Sequence, residues 1–268
     1  MQLIEVSAKT GFVWFRQGIW LFRKNPLAFL TLFFTYLLAM MLVSQIPVVG
    51  AFLPLVFIPG VAVGFMAACR DTIAGKPVFP TILVDGFRSY GTGVAKRLAI
   101  LGVLYVVAMA LVLAGSALAD GGMLLRAMIG SAAMEPEAIA NSDIPLAVLA
   151  AFAFYIPVAM LFWFSPVLAA WHDVPVAKAM FFSFVSCWRN RGAFIVFGAL
   201  WFAMAITVSL GLSALMQALG ATDYSFVVLM PATIVVTTML YCSFYATYRG
   251  CFGVQTPETT DAPTKPVD

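Results

Sequence analysis

His172 and Asp173 are adjacent, and an imidazole beside a carboxylate is the pairing that serves a general base. Such a base needs a nucleophile within hydrogen-bond reach and donors aimed at a developing oxyanion, and the surrounding sequence offers neither. Asp173 precedes Pro175 and a helical pattern, so it reads as a helix cap. His172 is the sole histidine, which excludes a His-rich metal centre. Cys69, Cys187, Cys242 and Cys251 fall in no CxxC pair and in no Cys/His group with ligand spacing. The carboxylates of Asp120, Glu135, Glu137 and Asp143 share one stretch, 119–144, but are too scattered for a calcium loop and read as a solvated acidic connection. No catalytic residue, cofactor or metal site is therefore expected, and the chain is expected not to be an enzyme.

What polarity remains is neutral and sits in apolar surroundings. Thr207 and Thr237 head a set of hydroxyls, with Ser165, Ser209, Thr233 and Thr238, that either bond back to helix carbonyls or line a path for an uncharged solute. Gly60 and Gly64 form a GxxxG pair suited to close helix approach, within one chain or between copies. Pro59, Pro157, Pro166 and Pro231 lie inside apolar runs, where each removes a backbone hydrogen bond. They are candidate packing kinks, and the carbonyls they free are candidate path groups.

The elements that must hold these residues follow from the apolar runs. The chain is 63% hydrophobic and only 10% charged, with mean hydropathy +0.99, against about 25% charged for a soluble domain. Runs at 27–46, 51–69, 98–118, 145–169, 193–216 and 225–247 each approach the length of a spanning helix, about 20 residues. Of the fifteen Lys and Arg residues, all but Arg126 fall in alternate segments between these runs. Basic residues are retained on the cytoplasmic side. The expectation is an all-α polytopic protein of the bacterial inner membrane, with six spans and both termini cytoplasmic. The first 26 residues carry Lys9, Arg16, Arg23 and Lys24 and do not read as a cleavable signal. The cysteines fall near the inner face, where thiols stay reduced, so no disulfide is expected. No basic run points to nucleic acid.

Patterned stretches precede the odd spans, the middle one, Pro80 to Arg97, being weaker and broken by Gly86, Gly91 and Gly93. In the first, Phe12, Phe15, Ile19 and Phe22 form a stripe, with Trp14 and Trp20 beside it and Arg16, Arg23 and Lys24 off it. In the last, Met180, Phe181, Phe184 and Trp188 lie to one side, with Lys178 and Arg189 elsewhere. This is the composition of helices lying in the headgroup region, with Trp14, Trp20, Arg16, Arg23, Lys24, Trp188 and Arg189 as anchors. Asn25-Pro-Leu-Ala-Phe aligns without gaps to Asn190-Arg-Gly-Ala-Phe, and each even span contains a proline. The expectation is three repeats of an interfacial helix plus a two-span hairpin, at about 10–69, 79–169 and 174–247, within a membrane domain over 1–252. A polar, disordered cytoplasmic tail is expected over 253–268.

Gly11-Phe-Val-Trp-Phe-Arg-Gln-Gly, Leu21-Phe-Arg-Lys-Asn-Pro, the run from Pro59 to Asp71, Ala119-Asp-Gly-Gly and Phe181-Phe-Ser resemble a family of uncharacterised bacterial six-span membrane proteins. The layout is more distantly similar to the membrane domain of glycerophosphoryl diester phosphodiesterases. The nearer resemblance implies an inner-membrane protein. The distant one brings no catalysis, because this sequence has no phosphodiesterase barrel. Three functions compete: a non-enzymatic scaffold, assembly factor or envelope-homeostasis component; a channel or carrier for an uncharged or amphiphilic solute; and, least supported, a lipid-modifying enzyme. Membrane lipids are the expected partners, with a membrane protein or a second copy of the chain as further ones.

Overall fold

In the computed structural model, residues 3–47, 50, 52–122 and 144–253 are described. They form ten α-helices and two short 3-10 turns, with no strand among the described residues. The helices are α1 (Thr10–Lys24), α2 (Pro26–Ser44), α3 (Leu53–Ile73), α4 (Asp85–Arg88), α5 (Thr92–Asp120), α6 (Ile144–Phe162), α7 (Ser165–Trp171), α8 (Val176–Arg189), α9 (Arg191–Ala218) and α10 (Ser225–Phe252). Six segments are long and apolar enough to cross a membrane: α2, α3, most of α5, α6 continued through α7, α9 and α10. They correspond one for one to the expected runs. Most of the acidic connection 119–144, the central residues of the 47–50 turn and the tail beyond Gly253 lie outside the described residues.

Helix boundaries follow local chemistry. Between α1 and α2 the Asn25 Oδ1 accepts from the Ala28 N–H at 3.3 Å, and Pro26 occupies the first helical position, where its missing N–H costs nothing. Asn190 marks the same kind of break between α8 and α9. α10 ends on Gly253 at φ 60°, the left-handed cap that glycine accepts without strain. The stretch before α5 differs. In place of a long surface helix it holds a 3-10 turn at Pro80–Val84 and the four-residue α4. A helix–asparagine–helix junction thus occurs ahead of the first and fifth spans but not ahead of the third.

The chain divides into two compact units. One comprises the chain up to Leu30, Cys69–Pro77 and the described chain from Arg189. Within it α1 packs on α10 and α9, which also pack on each other. The other comprises Thr31–Ala68 and Val78–Trp188. Within it α5 runs along α6 and meets α4 and α7.

Candidate functional site

In the first unit α1 is held by small residues. A Cβ on Gly11 would overlap the Ala193 carbonyl oxygen, and one on Gly18 would overlap the Ser243 side chain. These two glycines, with Trp14, Leu21 and Phe22, make the buried face. Trp14 is 1% exposed, its ring 5.2 Å from that of Phe194 and 6.2 Å from that of Phe197, with Gly250 against its indole. This corrects the expectation that Trp14 anchors the helix among headgroups: its ring is spent inside the protein. The Phe stripe also divides. Phe12 is exposed, Phe15 and Ile19 are half-buried, and Phe22 is buried.

The opposite face of α1 carries Phe12, Arg16, Trp20, Arg23 and Lys24, all exposed. Arg16 sits over the Phe12 ring at 5.8 Å and Lys24 over the Trp20 ring at 4.4 Å. Cation and ring thus support one another on a surface where both are favoured.

Asn190, 1% exposed, joins three segments. Its Oδ1 accepts from the Val6 N–H at 2.8 Å, and its Nδ2 donates to the Ile4 carbonyl at 3.1 Å and to the Cys251 Sγ at 3.6 Å. The Ile4 N–H donates in turn to the Cys251 carbonyl at 2.8 Å. The side-chain amide therefore pairs with the backbone on both sides of Glu5, as a neighbouring peptide would. Arg189 pairs with Glu5 beside it. The alignment of Asn25 with Asn190 marked this residue, but nothing in the sequence marks its partners.

In the second unit Gly60 and Gly64 are buried, and they receive the chain that follows α3. A Cβ on Gly60 would overlap the Phe87 ring, and one on Gly64 the Ile82 carbonyl. The pair serves packing inside one chain. Pro59 is buried, whereas Pro157 and Pro231 are exposed, so the even-span prolines do not share one environment. None of these three interrupts its helix. The break comes at Trp163 and Phe164, ahead of Pro166. There the Ser183 hydroxyl donates to the Met160 carbonyl at 2.7 Å and accepts from the Phe164 N–H at 2.9 Å. That carbonyl and that N–H would bond each other in a continuous helix, so the hydroxyl has inserted into the ladder. Ser183 lies on the buried face of α8 with Ala179, Ser186 and Cys187, while Phe181 and Trp188 are exposed.

Asp173 does not cap α8. Its carboxylate pairs with Arg97 at 2.5 Å, and Arg97 also donates to the Ala169 carbonyl at 3.3 Å, near the C-terminus of α7. Asp173 sits at φ 54°, a left-handed conformation that Asp tolerates better than most residues. Burial pushes the His172 imidazole below its ordinary pKa of 6.5. The Asp173 carboxylate is thus engaged by Arg97.

Of the hydroxyls proposed for a path, Thr233 and Thr238 are occupied within their own helix, while the buried Ser165 Oγ has no hydrogen-bond partner among the described residues. Thr233, Thr238, Ser243 and Thr247 donate to the carbonyls of Leu229, Ile234, Leu240 and Phe244 on their own helix. Thr207 is exposed and Thr237 half-buried. Among the described residues no group of His, Cys, Asp and Glu is placed to hold a metal ion.

Six apolar spanning helices, with charge confined to their ends and connections, define an integral, all-α polytopic membrane protein. No family model matches the chain, and no solved structure matches it. It is 69% identical over 265 residues, 98% of either chain, to a protein of Burkholderia thailandensis described as a probable inner membrane protein. The chain belongs to the same family, and it is an integral protein of the inner membrane.

Proposed function

We propose that this protein is a non-enzymatic scaffold of the inner membrane, acting in assembly or envelope homeostasis, with both termini in the cytoplasm. The observation that carries this reading is the division of α1 into two faces. One is fixed to α9 and α10 through Gly11, Trp14 and Gly18, and the other offers Phe12, Arg16, Trp20, Arg23 and Lys24 outward. A rigidly mounted aromatic and basic surface at the ends of membrane helices is suited to holding lipids or partner proteins at the leaflet. The carrier reading draws less support, because Thr233 and Thr238 bond to their own helix and have no donor left for a passing solute. The test is a deletion strain profiled for lipid composition, envelope-stress response and metabolite uptake. A scaffold gives envelope stress or altered lipid composition with uptake intact. Selective loss of uptake of one uncharged solute, with a normal envelope, overturns the reading in favour of a carrier.

A further inference from the structure

We propose that the outward face of α1 binds the phosphate of an anionic phospholipid between Arg16 and Arg23, against the ring of Trp20. Arg16 and Arg23 are two turns apart, about 10.5 Å along the axis, so two long side chains bracket the residues between them. A shallow recess of about 280 Å³ lies there, lined by Arg16, Ile19, Trp20 and Arg23. It offers two guanidinium groups for phosphate oxygens, and an aliphatic and an indole side chain for the glycerol and upper acyl carbons. Trp20 also lines a second recess of about 240 Å³, whose lining includes Gln17, Ile73, Tyr245 and Arg249. A headgroup with two phosphates would occupy both recesses, with its second phosphate at Arg249.

Among the described residues no carboxylate pairs with Arg16, Arg23 or Lys24; the ion pairs there are Arg70–Asp71, Arg97–Asp173 and Arg189–Glu5. The ring contacts of Arg16 and Lys24 hold those cations in place but supply no anion. The adjoining apolar residues favour a phosphate that arrives attached to a lipid over a free ion, since a basic patch beside membrane helices meets anionic headgroups at its own level. The inference rests on the surface placement of α1 used above, and its failure is distinguishable from a failure of that placement.

The experiment uses the purified full-length chain in a zwitterionic detergent. Phosphatidylglycerol, diphosphatidylglycerol, phosphatidylcholine and inorganic phosphate are added separately, and thermal shift and retained lipid by native mass spectrometry are read. Phosphatidylglycerol is expected to raise Tm and to be retained, and phosphatidylcholine is not. The R16Q/R23Q variant is expected to bind phosphatidylglycerol roughly thirtyfold more weakly, given the usual weight of a basic residue near an anionic surface. Arg249→Gln should remove any preference for diphosphatidylglycerol, and Lys76→Gln, an exposed cation outside both recesses, should bind like the parent chain. Equal binding of phosphatidylglycerol and phosphatidylcholine, or an unchanged R16Q/R23Q variant, overturns the proposal. So does inorganic phosphate that matches the lipid at equal concentration. Should the double variant misfold, the selectivity of the unmodified chain decides alone. Quenching of Trp20 by lipid-attached probes tests the placement separately: a deeply quenched Trp20 removes the surface helix, whereas a shallow one without lipid selectivity removes only the site.

Discussion

Asn190 does work that neither hydropathy nor charge announces. Its amide satisfies the Val6 N–H and the Ile4 carbonyl, two backbone groups that would otherwise be strained for partners beneath a side chain 1% exposed. Asn190→Ala removes both bonds, which are part-buried, and a typical intramolecular hydrogen bond contributes about 0.5–1.5 kcal/mol. A lower Tm in detergent and faster proteolysis at Lys9 are the expected outcomes; an unchanged melt with Lys9 still protected would show that the segment is held elsewhere. Trp14 makes the opposite case. Its ring is packed on all sides, yet its Nε1 is buried without a hydrogen-bond partner. Trp14→Phe keeps an aromatic ring and discards the orphan donor, so its melt should stay within about 1 kcal/mol of the parent. Trp14→Ala empties the site and should cost about 3–5 kcal/mol. Equal losses in the two variants would mean that the indole N–H is in fact satisfied.

At the scale of elements, the mounting of α1 depends on the absence of side chains. Gly18→Leu would drive a branched side chain into Ser243 and the backbone of α10, where no flexible group can yield. The expected result is a chain that still inserts but whose α1 detaches, read as new protease sensitivity at Arg16 and Arg23 with the spans intact. Protection equal to the parent would mean that α1 is held by contacts beyond this glycine face. This explains which parts of the fold were legible beforehand. The six spans were, because twenty apolar residues have one stable solution in lipid. The docked face of α1 was not. In water the large apolar residues of a surface helix turn inward, but on α1 Gly11 and Gly18 make the closest contacts beside the buried Trp14 and Phe22, while Phe12 and Trp20 face outward. α8 repeats the pattern, burying Ala179, Ser183, Ser186 and Cys187 while exposing Phe181 and Trp188. The break at Trp163 was foreshadowed by Pro166, but the hydroxyl that fills it comes from a residue 19 positions on, and periodicity reports only near neighbours. The asparagine that holds residues 4–6 is 184 positions from Val6, and so was equally invisible.

For the whole molecule the governing quantity is the sidedness of its charge. Only Arg126 among fifteen Lys and Arg residues lies in the connections assigned to the outside. Alkaline phosphatase fused at residue 135 should therefore be active and a fluorescent protein fused at residue 268 should fluoresce, because phosphatase folds outside the inner membrane and the fluorophore matures inside. Both reporters reporting one side would remove the topology and the proposed role of α1 with it. The bias is also redundant. Arg70, Lys76, Arg88, Lys96, Arg97, Lys178, Arg189 and Arg191 remain inside when Arg16 and Arg23 are neutralised, and positive-inside control counts such residues near span ends. The R16Q/R23Q chain should keep the parent topology in the same fusions. Its loss of anionic lipid, if found, then belongs to the face of α1 and not to an inverted protein. An inverted R16Q/R23Q chain would instead make those two arginines the determinants of orientation, and would leave the later connections as followers of the first span.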